Sequence, residues 1–328
     1  MPKLEGLKWQ PRWVSLMGCI EGCLAYQKKQ ITPGWLYGAT GHAFALSIAK
    51  GICPSGPTAW NTKRLFELGK NVGFETKHIT AEPNAADFAD QQKKAFEFVD
   101  QSLQATVPCY GWELNIPEYY VITGTDKTGY YYSGPMCENA EQPKPWENLG
   151  KSETAYLNVT AVSACEPADD IKTVREALQF AVDLARNGKE YLLDWNREWA
   201  DAGLSAYDRW AQELHTGQPD ELGMPYNAAC WAECRHFAVE FLKEATQKLI
   251  ENGPIASQHR PLFDSAVTHY AMVEAKLKRV SEIFPFRDRR PEYLQDPKRV
   301  TAAIDLIRTA KQSEEMGVAK LQEIAGIL

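Results

Sequence analysis

The chain lacks any long apolar run. No stretch approaches the ~20 residues that a membrane-spanning helix needs, and the segment Met1 to Trp9 holds no run of signal-peptide length. Residence in the cytoplasm is therefore expected. Histidine is scarce, six in 328 residues, which leaves few candidates for a general base. There is no phosphate loop, no dinucleotide-binding fingerprint and no serine-nucleophile elbow. Cations are outnumbered: 36 Lys and Arg against 43 Asp and Glu give a formal charge of −7. Such a surface attracts neither nucleic acid nor an anionic membrane as main partner. Eight irregularly spaced cysteines in a cytoplasmic chain read as thiols rather than a disulfide framework. Cys230 and Cys234 share a helix face while His236 points elsewhere, so they form no zinc constellation. No metal and no cofactor is expected.

What is present is ample core material: 44% hydrophobic residues, with ten Trp and fourteen Tyr. The length exceeds one ordinary domain, so two are expected. Up to about Cys165 the chain is rich in Gly, Pro, Tyr and β-branched residues, and runs such as Ala155 to Val162 read as strands. Pro117–Asp126 and Gly129–Pro135 read as a strand, a turn and a second strand. After Pro167 the pattern becomes helical. Asp169-Asp170 caps a helix whose apolar positions Val174, Ala177, Leu178, Ala181, Val182 and Ala185 recur at helical spacing, with Asn187-Gly188 as its stop. Further helices are expected over Ser205 to His215, Asn227 to Asn252, Pro261 to Ile283 and Asp296 to Ile327. The fold class is α+β, with an α/β domain over residues 1–166 and an all-α helical bundle over 167–328.

Two segments carry candidate chemistry. In Ser15 to Tyr26 the sequence places Cys19 after Gly18 at the start of a helical pattern, a setting that favours the thiolate through the helix dipole and free N–H groups. The competing reading is a small buried hydrophobe, which is also the reading of Cys23. His42 follows a glycine-rich segment and opens an apolar helix over Ala43 to Ile48; it is either a capping histidine or the base for a thiol, with His78 its only rival in this domain. Trp112 to Tyr120 packs two carboxylates, Glu113 and Glu118, among Trp112, Tyr119 and Tyr120. That composition suits a pocket for a cationic or amine-bearing ligand, or equally an edge strand with solvated glutamates and core aromatics. Arg287, Arg289, Arg290, Lys298 and Arg299 form a basic patch, a solvated turn or a phosphate site.

Cys19, Gly22 and Leu24, then Trp35-Leu36-Tyr37-Gly38 and Gly41-His42-Ala43-Phe44, then Val107-Pro108 followed by the hairpin, resemble the amino-terminal domain of butirosin biosynthesis protein H, a papain-like family. Gly203 to Trp210 in the helical remainder resembles the carboxy-terminal half of such proteins. The resemblance implies a papain-like amino-terminal domain with Cys19 as nucleophile, and transfer of an acyl group from a carrier-protein thioester to an amine. The family's histidine falls at Glu118, counted back from Gly124, and its acid falls near Ser133-Gly134-Pro135, so neither is matched. An exposed glutamate is too weak a base to replace histidine, and a carboxylate beside Cys19 raises the thiol pKa.

Two functions follow. One is thiol-dependent acyl transfer or amide chemistry on a small amine-bearing metabolite, by a cysteine-dependent acyltransferase or amidase. Cys19 is then the nucleophile, His42 the base and Glu118 the residue at the missing histidine's place. Trp35, Trp112, Glu113, Tyr119 and Tyr120 line the ligand, and the partner is a small molecule or an acyl donor such as a carrier-protein thioester. The other is a non-catalytic small-molecule-binding protein on a degenerate papain-like scaffold. Strand alternation puts Glu118, Tyr120 and Ile122 on one face, toward Cys19.

Overall fold

The computed structural model describes residues 2–152, 154–251 and 253–328. In chain order the elements are α1 (Ser15–Tyr26), α2 (Pro33–Ala39), β1 (Ser47–Ala49), α3 (Lys63–Val72), β2 (Phe74–Ala81), α4 (Phe88–Gln104), β3 (Cys109–Trp112), β4 (Tyr119–Thr125), β5 (Gly129–Ser133), β6 (Lys144–Pro145), β7 (Leu157–Ala164), α5 (Asp170–Arg186), β8 (Ala200–Ala202), α6 (Leu204–Thr216), α7 (Gly223–Thr246), α8 (Arg260–Ile283), α9 (Pro291–Gln295) and α10 (Pro297–Ile327). Helix and sheet are mixed, and the carboxy-terminal region is helical. Among the described residues no helix is long and apolar enough to cross a membrane, and the eight cysteines form no disulfide.

The chain forms two compact units, Met1–Ile31 with Gly73–Pro167, and Thr32–Val72 with Ala168–Leu328. The first is built on a six-stranded sheet in the order β2-β7-β3-β4-β5-β6, each neighbouring pair antiparallel. Asp126 closes the β4–β5 turn: its carboxylate accepts the N–H of Thr128 at 2.7 Å and of Gly129 at 3.1 Å, an Asx turn of the usual kind. Cys109 and Tyr110 alternate across β3, so one faces the α4 side and the other the α1 side. Gln27 ties the end of α1 to β7, donating to Val162 O at 3.1 Å and accepting from the Ala164 N–H at 2.8 Å.

In the helical unit α8 packs against both α7 and α10, with α5 and α6 against α10. Asp169 caps α5 by accepting the Lys172 N–H at 2.8 Å, and Asn187 ends it. The α7 helix runs to Thr246 and continues through a π turn, Gln247–Glu251; the expected end at Asn252 lies outside the described residues. Thr32–Val72 belongs to this unit, whereas a linear division at 166/167 assigns it to the α/β domain. The reason is contact: α2 lies so close to α7 that a Cβ on Gly38 would stand 1.9 Å from Phe241 Cγ. The strand β1 pairs with β8, Ser47 opposite Ala202.

At the centre of the unit Arg235 is fully buried. Its guanidinium binds Glu314 at 2.8 and 2.7 Å and donates to the carbonyls of Ala43 at 3.0 Å and Ala45 at 2.7 Å. Tyr207 donates to the same carboxylate. Every charge in the cluster thus has partners, the condition for burying an ion pair at all.

Candidate functional site

The first turn of α1 starts at Ser15, not at Cys19. Cys19 sits one turn further along, 0% exposed. Its thiol pKa is raised well above the ordinary value, by burial first and then by Cys23 and Glu118. The expected accessible thiol at a helix amino terminus is therefore corrected: the residue at that terminus is a serine. The glycines that suggested a reactive setting have another use. A Cβ on Gly18 would stand 2.3 Å from Gln10 O, and one on Gly22 2.1 Å from Lys8 O, so both admit the segment preceding the helix, which crosses it at backbone contact.

Glu118 does reach α1. It precedes β4, its carbonyl accepts the Glu113 N–H at 2.8 Å, and its carboxylate accepts the Ser15 hydroxyl. The Ser15 oxygen in turn accepts the Tyr119 N–H at 3.0 Å. A carboxylate at the head of a helix is also favoured by the dipole. The alternation expected for the hairpin does not extend to Glu118, because it lies before the strand. Tyr119 meets Tyr110 and Trp112 on the α1 side, with ring centroids 5.6 and 4.8 Å apart. Tyr120 points to the opposite face, where it meets Tyr132 and donates to Pro135 O at 3.1 Å.

Glu113 is 3% exposed and holds φ at 58°, an uncommon conformation for a residue other than glycine. Its carboxylate accepts the Thr154 hydroxyl, whose oxygen accepts the Trp112 indole N–H at 2.8 Å. Trp112, Glu113, Glu118 and Tyr119 are thus brought together in and beside the β3–β4 turn, with the Trp112 indole and the two carboxylates hydrogen-bonded inside the unit. The family's acid position, near Ser133-Gly134-Pro135, is occupied by a tight hairpin in which Gly134 and Cys137 exchange backbone hydrogen bonds of 2.7 and 3.0 Å.

Trp35 and His42 belong to the helical unit. Trp35 packs on Phe241 at 5.4 Å, with Lys248 Nζ 4.3 Å from its ring centroid. His42 does not open a helix to Ile48; it begins a 3-10 turn, His42–Phe44, that leads into β1. The residue is 1% exposed, and the thiol facing its Nδ1 is Cys234, at 3.7 Å. Burial is the main cause of the fall of its pKa from 6.5 to about 4, with Arg235 adding to it. His78 lies exposed on β2.

Sequence reasoning missed Ser15. The available signal was its place at the head of the apolar run Leu16, Met17, Cys19 and Ile20. Among the described residues, no group of three or more His, Cys, Asp and Glu converges as metal ligands do; Cys230 and Cys234 are buried in α7, while His236 pairs with Glu274 at 2.9 Å. The sequence matches no protein-family model and no curated protein.

Proposed function

We propose that the protein acts by binding rather than by thiol catalysis, and that its first unit is a papain-like scaffold whose reactive pair has been replaced. The carrying observation is the contact between Ser15 and Glu118 at the head of α1. A thiol enzyme needs a thiolate there and a base near its own pKa beside it. This chain has a serine hydroxyl bonded to a carboxylate, both oxygens of the contact engaged in holding the β3–β4 turn against the helix. Cys19 offers no substitute, since it is enclosed and its environment opposes ionisation.

The test is iodoacetamide labelling near neutral pH, read by peptide mass spectrometry. In the folded protein the half-buried thiols Cys53, Cys137 and Cys165 are modified, whereas the buried Cys19, Cys23 and Cys109 react only after denaturation. Rapid labelling of Cys19 in the native state, or hydrolysis of amides or thioesters that is lost in Cys19→Ala, contradicts the proposal and restores the thiol-dependent acyl-transfer reading.

A further inference from the structure

The helical unit carries a cleft of about 710 Å³ between the carboxy-terminal end of α8 and the first turns of α10. Ile283, Ala302 and Leu306 supply its apolar floor, and Arg279, Lys298 and Arg299 its cationic rim. The volume is in the range of small-molecule sites, roughly 300–1,000 Å³. Glu282 and Asp305 also line it, and with Asp296 beside Arg299 the three cations are matched by three carboxylates, so an anion would be held by the placement of the cations and not by net local charge.

The cations differ in how they are held. Arg299 is fixed: it donates to Ile283 O at 2.7 Å, lies 3.9 Å from the Tyr293 ring centroid and has Asp296 3.6 Å from its Nε. A guanidinium has five N–H donors in a rigid fork, and the Ile283 and Asp296 contacts engage only Nη1 and Nε. Ordering of this side chain is already paid before any ligand arrives, which favours binding. Arg279 pairs with Glu282 at 2.8 Å. Among the described residues Lys298, which also lines the cleft, makes no ion pair.

We propose that this cleft binds a small organic anion with an apolar body: a carboxylate, sulfonate or phosphate monoester held by Arg299 and Lys298, with the body over Ile283, Ala302 and Leu306. An inorganic anion leaves the floor uncovered, and a neutral apolar molecule leaves the cations without an acceptor. The site belongs to the helical unit and stands whether or not the reading of the first unit does.

The experiment is a fluorescence titration of the full-length protein with anilinonaphthalene sulfonate, with naphthoate and naphthyl phosphate as competitors that separate the carboxylate from the phosphate class. One saturable site is expected, displaced by at least one competitor. The exposed-site variant Arg279→Glu/Lys298→Glu weakens it about tenfold, or about 1.4 kcal/mol, at unchanged circular dichroism and melting temperature. Ala302→Trp, which fills the floor, abolishes it, and Lys93→Glu on α4 leaves it unchanged. Absence of saturable binding overturns the proposal. So does an affinity unchanged in the double variant, even where Ala302→Trp removes binding, because the probe then reads only an apolar surface.

Discussion

His42 shows how one buried side chain couples the fold to pH. Its ring is enclosed by Tyr37 at 5.6 Å, by the edge of Trp60 at 5.3 Å and by the Cys234 thiol. Desolvation disfavours the imidazolium, so the folded chain takes up this proton only near pH 4, whereas the unfolded chain takes it up near 6.5. Between those values the unfolded state binds more protons, and stability falls as pH falls. The loss begins below 6.5, is complete near 4 and amounts to on the order of 3 kcal/mol at 1.36 kcal/mol per pKa unit. Urea denaturation at pH 7 and pH 4.5 should show a smaller drop in His42→Gln than in the parent, by about 2–3 kcal/mol, because the carboxylates that titrate in this window are common to both. Equal drops would mean that His42 is accessible to protons in the fold. At this same scale the sequence was least legible. Cys19 and Ser15 both precede helical patterns, and which of them heads the helix depends on the segment Lys8–Gln10, whose crossing at Gly18 and Gly22 no local pattern reveals.

Among the elements, those governed by local chemistry were legible and those governed by distant partners were not. The Asp169 cap, the Asn187 stop, the Asp126 turn and the long helices α5, α8 and α10 stand close to their expected bounds, because capping and helical periodicity act over a few residues. The apolar pattern after Gly41 is that of a helix; the segment turns into β1 instead because Ser47–Ala49 pairs with β8, far along the chain. The contact of α2 with α7 is equally hidden: Gly34 and Gly38 permit a tight turn or a close approach, and nothing local to them names Glu240 and Phe241 as the residues that stand against them. Gly38 separates two effects of opposite sign. Alanine in a helix interior is favoured over glycine by about 1 kcal/mol, but its methyl would stand 1.9 Å from the Phe241 ring, and Phe241 is wholly buried. Overpacking of that kind costs about 1–3 kcal/mol, so Gly38→Ala should lower the melting temperature. A rise would show that α2 can move off α7 without cost.

For the whole molecule the decisive fact is that the helical unit is discontinuous in sequence. Its early piece, Thr32–Val72, supplies the α2 surface against α7, the β1 partner of β8, and the Ala43 and Ala45 carbonyls that accept from Arg235. A chain cut after Glu166 keeps all of the first unit except Pro167 on one fragment, with Thr32–Val72 as an inserted loop. Closing a loop costs only slowly more as it lengthens, about 0.6 kcal/mol per doubling. The other fragment, 167–328, keeps Arg235 and Glu314 but loses two acceptors of a fully buried guanidinium. Leaving donors of a buried group without acceptors costs about 1–3 kcal/mol, and more for a charged group, and opening the α2 face of α7 and the edge of β8 adds to it, against a total domain stability of about 5–15 kcal/mol. The two fragments should therefore behave unequally when expressed separately: 1–166 melts cooperatively with its sheet intact, while 167–328 retains helical circular dichroism without a cooperative transition or dispersed amide resonances. Adding a peptide of residues 32–72 to the second fragment should restore cooperativity. If 167–328 folds cooperatively alone, the Arg235 cluster is not what closes the helical unit, and the early segment is an attachment rather than part of its core.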